Sequence, residues 1–129
     1  MVSRVTISRS VLAGIRRESA AAGRQEACGL LFGTPDEIAE MQAVDNVSEN
    51  PNYAFEIDPR ALFAALRAER AGGPKLVGYW HSHPSGDAMP SATDAAMAAA
   101  DGKLWLIVGG GDVTSWRAVD AGFEAIEIR

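Results

Sequence analysis

Hydrophobic positions along the chain switch between two periods, and the switches mark out the elements. Residues 2–7 alternate, with Val5 and Ile7 two apart, as in a half-buried strand. After Ser8 and Ser10, either of which can cap a helix, the spacing lengthens. Val11, Leu12, Ile15 and Ala22 share one face, interrupted by the small polar Ser19, and Gly23 supplies a stop. Residues 27–32 form a compact apolar run closed by Gly33, Thr34, Pro35 and Asp36. Weaker alternation over 37–44 then completes a hairpin. Residues 46–52 are polar and predict a loop, and 53–57 a short strand. Asp58 followed by Pro59 opens a second helix, with Ala61, Leu62, Ala65 and Leu66 facing inward and Gly72, Gly73 and Pro74 ending it. Residues 75–82 predict a buried strand and 91–100 a short alanine-rich helix. Three antiparallel strands follow at 104–108, 113–119 and 123–128, turned at 109–112 and 120–122. Three helices among seven or eight strands, with no repeat, low-complexity tract or linker, predict one α/β domain over residues 1–129, of mixed α+β character.

Composition adds mainly exclusions. The 129 residues are 47% hydrophobic and 22% charged, an ordinary globular balance. A formal net charge of −5 argues against a general nucleic-acid binder, and no polybasic run suggests a membrane surface. One cysteine, Cys28, permits no internal disulfide and suits a reducing compartment. The N-terminus shows no signal-peptide core, and no stretch approaches the roughly 18 apolar residues of a membrane span. The expectation is a soluble, cytoplasmic protein; no oligomeric state is specified.

The candidate chemistry lies in one phrase. The chain has two histidines, His81 and His83, at the end of the predicted buried strand, and side chains two apart share a face of a strand. Asp94 closes the phrase. Imidazole and carboxylate suit zinc, and three protein ligands leave a fourth position for water. Two satisfied core histidines are the plainer alternative, and the trailing carboxylate favours the metal. Asp94 has a competing role: Ser91 followed by Asp94 forms a capping-box pattern, in which the acid caps its own helix, although one oxygen could serve each purpose. Ser91 is then a cap, or a hydroxyl aimed at an oxyanion beside the metal. A zinc hydrolase also needs a general base, which spacing alone does not select from 17 acidic residues. Glu26 stands at the edge of the apolar run, and on composition alone it reads as a solvated loop residue. Cys28 reads as a buried structural thiol, with a ligand or redox role as the weaker alternative. Asp87 reads as turn chemistry with Gly86, and Trp80, Trp105 and Trp116 as core or rim.

These residues resemble a known family. The pattern His81-Ser-His83, seven intervening residues, Ser91, two more, then Asp94, with Glu26 upstream, is similar to the signature of the JAMM (MPN-plus) metalloproteases. Residues 26–33, Asn46-Val47, residues 55–59 and residues 76–81 resemble the family's flanking segments. The resemblance implies a single MPN-like domain, cytidine-deaminase-like in fold, with a mixed central sheet. It implies that His81, His83 and Asp94 bind Zn²⁺ with water as fourth ligand, that Glu26 is the general base, and that Ser91 stabilises the oxyanion. The implied reaction is hydrolysis of a peptide or isopeptide bond, often after the C-terminal Gly-Gly of a ubiquitin-like protein. The short chain has little room for the ubiquitin-gripping insertions of eukaryotic members. It looks like the compact bacterial and archaeal type, some of which process sulfur-carrier proteins.

Two alternatives accompany this reading: a non-catalytic MPN-type interaction module, which would have lost ligands that are present here, and a RadC-like, DNA-repair-associated protein, suggested by the Pro-Ser-Gly after His83. A zinc deaminase would need His-x-Glu and Pro-Cys-x-x-Cys, which this chain lacks.

Overall fold

In a computed structural model, which describes residues 3–129, the elements run β1 (Arg4–Ile7), α1 (Arg9–Ala22), β2 (Cys28–Thr34), β3 (Glu37–Val44), α2 (Pro59–Arg70), β4 (Leu76–Ser82), α3 (Ala92–Met97), β5 (Leu104–Gly109), β6 (Asp112–Val119) and β7 (Gly122–Ile128). The strands are ordered β1-β3-β2-β4-β5-β6-β7, and β1 lies parallel to both β3 and β7, so the ladder returns on itself as a barrel. β4 and β5 are parallel with α3 in their connection, whereas β2–β3, β2–β4, β5–β6 and β6–β7 are antiparallel. The mixed sheet with three helices agrees with the α/β expectation.

The continuous apolar runs become the central strands because both of their faces are covered. On one face Leu31, Trp80, Leu104 and Leu106 pack with Val11 and Ile15 of α1. On the other, Leu30, Phe32 and Leu76 meet Ala65, Leu62 and Leu66 of α2, the inward stripe expected from its spacing. A third cluster, Cys28, Phe55, Trp105 and Ala118, fills the end of that second face.

This arrangement decides what meets at the sheet's end. β2 and β4 are antiparallel, with Cys28 paired to His81, so the start of β2 lies beside the end of β4. Residues just before Cys28 therefore face residues just after His81, although they are more than fifty positions apart in sequence.

Most helix and strand boundaries agree with the periodicity: Ser8 caps α1 through Val11 N, Asp58 caps α2 through Arg60 N, and Gly23 closes α1. Three expectations need correction. The first strand covers Arg4–Ile7, and residue 2 of the expected strand lies outside the described residues. Residues 53–57 are no strand; apart from a single bridge, Asn46 to Ile57, they form a loop. The reason is Asn46, whose amide takes the place of a partner strand: Nδ2 donates to Ala54 O, and Oδ1 accepts from Glu56 N. The third helix stops at Met97 rather than 100, because Asp94 is its one buried residue and an alanine run without packing sustains little helix.

Candidate metal centre

Four side chains from three parts of the chain converge where β2 begins and β4 ends. Glu26, His81, His83 and Asp94 are all buried, and each offers a ligating atom within 4.8 Å of the others. His81 is held by the strand ladder between Cys28 of β2 and Ile107 of β5, and the Phe55 ring stacks on it at 4.3 Å. His83 follows two residues later, just past the end of β4, its N–H bound to Val108 O at 2.8 Å. Asp94 arrives on the first turn of α3. Both sides of the capping box form: Asp94 N donates to Ser91 Oγ at 3.0 Å, and Ser91 N to Asp94 Oδ2 at 2.9 Å.

The two readings of Asp94 are therefore compatible, but not by the expected division of one oxygen to each. The same Oδ2 that caps the helix also lies 3.2 Å from His81 Nε2 and 3.0 Å from His83 Nε2. The plainer alternative for Glu26 also fails. It is 5% exposed, not solvated, and its backbone is pinned on every side. Glu26 N donates to Pro51 O at 2.7 Å, Asn46 Nδ2 donates to Glu26 O at 2.9 Å, and Ala27 N donates to Ser82 Oγ at 2.8 Å.

The donor chemistry fits a cation. His83 Nδ1 lies 2.7 Å from Asp87 O, and a carbonyl only accepts, so Nδ1 carries the proton and a neutral ring turns a bare Nε2 toward the cluster. That Nε2 meets His81 Nε2 at 3.0 Å and the Asp94 carboxylate, so atoms rich in lone pairs face one another. Glu26 Oε1 and His81 Nδ1 are buried without a hydrogen-bond partner. Such crowding of acceptors is costly unless positive charge lies among them. The titration behaviour says the same in terms of protons. Burial opposes ionisation of Asp94, yet the two imidazoles of His81 and His83 against it hold its carboxyl well below the usual range. Burial disfavours charge on His83 too, but Asp94 and the Asp87 carbonyl raise its pKa overall. His81, fully buried, is lowered by desolvation. Burial pushes Glu26 up to about 7, with His83 opposing and Asp94 adding to the rise.

A cleft of about 200 Å³ opens over this cluster, bounded by Glu26, Tyr53, His83, Met89 and Ser91. Ser91 is exposed in it. Its oxygen accepts from Asp94 N, which leaves its own O–H free to donate into the cleft. Cys28 lies outside the cluster. Its thiol is buried against Val44 O and Asp45 O and is pushed up to about 12 by burial and then by Glu26 and Asp45, so it is an inert structural group. Asp87 contributes its carbonyl to His83 and its Oδ1 to Met89 N, so the turn role holds and a second one is added. Trp80 and Trp105 are core. Sequence reasoning missed Asn46 and Phe55. Asn46 falls in the predicted loop and Phe55 in the predicted strand, and the one available signal was a buried-type aromatic in that stretch.

A barrel whose ends bring Glu, two His and Asp together beneath an open cleft defines a metal-dependent hydrolase type of site. Residues 8–120 match the family model for prokaryotic homologs of the JAB domain, and the chain belongs to that family. Among its relatives, a desampylase from Haloferax volcanii is 37% identical over 100 residues, 76% of this chain and 72% of that protein. A probable TtuB-protein conjugate cleaving protease from Thermus thermophilus is 39% identical over 70 residues, 54% of this chain and 47% of that protein, so the match spans about half of that relative. The solution structure of a protein from Desulfitobacterium hafniense superposes with a TM-score of 0.83 at 27% identity, over 97% of this chain and 91% of that one. The JAMM/MPN-plus resemblance read from residues 26 and 81–94 is thus a family relationship. No helix among the described residues is long and apolar enough to cross a membrane.

Proposed function

We propose that the protein is a cytoplasmic zinc metallopeptidase that hydrolyses a peptide or isopeptide bond after the C-terminal Gly-Gly of a ubiquitin-like or sulfur-carrier protein. The observation that carries this reading is the convergence of Glu26, His81, His83 and Asp94, all buried, at the floor of an open cleft. Relatives that cleave protein conjugates support the substrate class. The reading extends to a single catalytic domain over residues 1–129, with cytidine-deaminase-like layering of sheet and helices.

In this reading His81, His83 and Asp94 hold the zinc. When bound, zinc supplies positive charge and Lewis acidity, which bring a water's pKa to about 7 and make nearby carboxyls easier to ionise. Glu26 is the proton carrier. Its carboxyl, poised near neutrality by burial, takes a proton from the attacking water and returns it to the leaving amine. The backbone bonds around Glu26 keep that carboxyl at the cleft floor throughout. Ser91 donates its free O–H to the oxyanion that develops on the scissile carbonyl.

The test uses zinc-reconstituted protein and a carrier protein joined through its terminal glycine to a lysine side chain. Cleavage that leaves an intact Gly-Gly end, stops on chelation and returns with zinc is expected. Glu26→Gln should lower kcat about a hundredfold to ten-thousandfold while zinc is retained. Failure of the reconstituted protein to cleave, or full activity in Glu26→Gln, overturns the reading.

A further inference from the structure

The loop of residues 84–90, which lines the cleft with Glu26, also leans on β6. Two side chains two apart on that strand form a directed hydrogen-bond relay. Trp116 Nε1 donates to Thr114 Oγ1 at 2.8 Å, and Thr114 Oγ1 donates to Ala88 O at 2.5 Å. The direction is forced, because an indole N–H can only donate and a carbonyl can only accept. Thr114 must therefore receive from Trp116 and give to Ala88, and its hydroxyl has one orientation.

The peptide so held neighbours the one that orients a histidine. Ala88 is buried, and the carbonyl before it, Asp87 O, is the partner of His83 Nδ1 at 2.7 Å. The loop reaches this depth because the β5–β6 turn offers no side chain. A Cβ on Gly109 would stand 2.8 Å from Ala88 N and from Asp87 C, and one on Gly110 would stand 3.0 Å from Gly86 O. Glycines on one side and Thr114 on the other fix the height of residues 86–88 above the barrel.

We propose that Thr114, backed by Trp116, is a positioning residue for His83: it locks the 87–88 backbone so that Asp87 O selects the Nδ1–H tautomer and leaves Nε2 bare toward the metal cluster. A histidine ligand whose second nitrogen donates to a fixed carbonyl is better oriented and more basic. The inference rests on the metal reading of His83, but its decisive measurement does not need the metal.

The test is Thr114→Val, which keeps the shape and removes the hydroxyl, with Thr114→Ser as rescue and Trp116→Phe as a second probe that leaves Thr114 in place. In metal-free protein at about pH 9, where imidazoles are neutral, long-range nitrogen–proton NMR correlations read the His83 tautomer. The wild type and Thr114→Ser should show the Nδ1–H form, Thr114→Val a mixture with Nε2–H, and Trp116→Phe a smaller shift in the same direction. Zinc affinity, read by chelator competition, should fall about 10- to 100-fold in Thr114→Val and recover in Thr114→Ser. A tautomer unchanged in both Thr114→Val and Trp116→Phe overturns the proposal. If the wild type binds no zinc while the tautomer shifts as expected, the metallopeptidase reading falls and the positioning role stands.

Discussion

The two sides of the cleft are built on different principles. Glu26 and His81 belong to the barrel wall: His81 lies inside β4, held by the ladder and by the stacked Phe55 ring, and Glu26 precedes β2, its backbone tied to Pro51 and Asn46 and its neighbour Ala27 to Ser82 of β4. His83, Ser91 and Asp94 belong to the stretch after β4, where α3 buries Asp94 alone and polar bonds do nearly all the holding. The wall gives position at the cost of adaptability. The outer stretch gives access, and its geometry depends on a few hydrogen bonds that can be cut one at a time. The proposed metal site would span both, joining a half held in the barrel wall to a half held by a few side-chain hydrogen bonds.

That contrast can be broken at either side. The largest effect is expected from Asp94→Asn. The amide oxygen still accepts from Ser91 N, so the helix cap survives while the negative charge is lost. Stoichiometric zinc should disappear from the purified variant, with the circular dichroism spectrum unchanged; metal analysis after gel filtration checks it. On the wall side, Phe55→Ala removes a buried ring stacked on His81 and should destabilise the fold by about 3 kcal/mol in urea unfolding. A wall held by packing predicts that this exceeds any single change in residues 84–97.

Comparable in size is a pH effect on the metal-free protein. Burial raises Glu26 from 4.5 to about 7, so the folded state binds this proton more tightly than the unfolded chain. Its contribution is complete below about pH 4.5 and is lost as pH rises through 7. Compared with Glu26→Gln, the wild type should lose about 3 kcal/mol across that window, measured as the difference between their denaturation profiles. The smallest effect on stability should come from Ser91→Ala. Loss of the cap costs about 1 kcal/mol, confined to α3, and hydrogen exchange at Ala95 and Ala98 should report it before global unfolding does.

Much of the wall was legible in the chain. Periodicity found α1 because burial on one helix face leaves a regular trace, unbroken apolar runs marked β2 and β4, which are covered on both faces, and the spacing of His81 and His83 suggested a shared face. What periodicity does not carry is the partnering of strands. Glu26 gains its place only because β2 and β4 run antiparallel, so from its neighbours Arg24 and Gln25 it reads as solvated. The loop at 46–57 misled for a related reason. Tyr53, Phe55 and Ile57 alternate like a strand, but Asn46 supplies through one side chain the hydrogen bonds that a neighbouring strand would have made. Side chains that stand in for backbone leave no period to read.

The single oxygen Asp94 Oδ2 has a consequence for how the molecule responds to occupancy. Because it caps α3 and faces both imidazoles, the helix is, on the zinc-site reading, thermodynamically linked to metal binding, and linkage is reciprocal. Charge drawn toward the imidazoles steadies the carboxylate that starts the helix, and an intact first turn presents that carboxylate ready-made. Six residues are too few to persist as a helix unaided. On that reading the amides of α3 form a built-in gauge, whose hydrogen-exchange protection should rise when the site is loaded and fall when it is emptied.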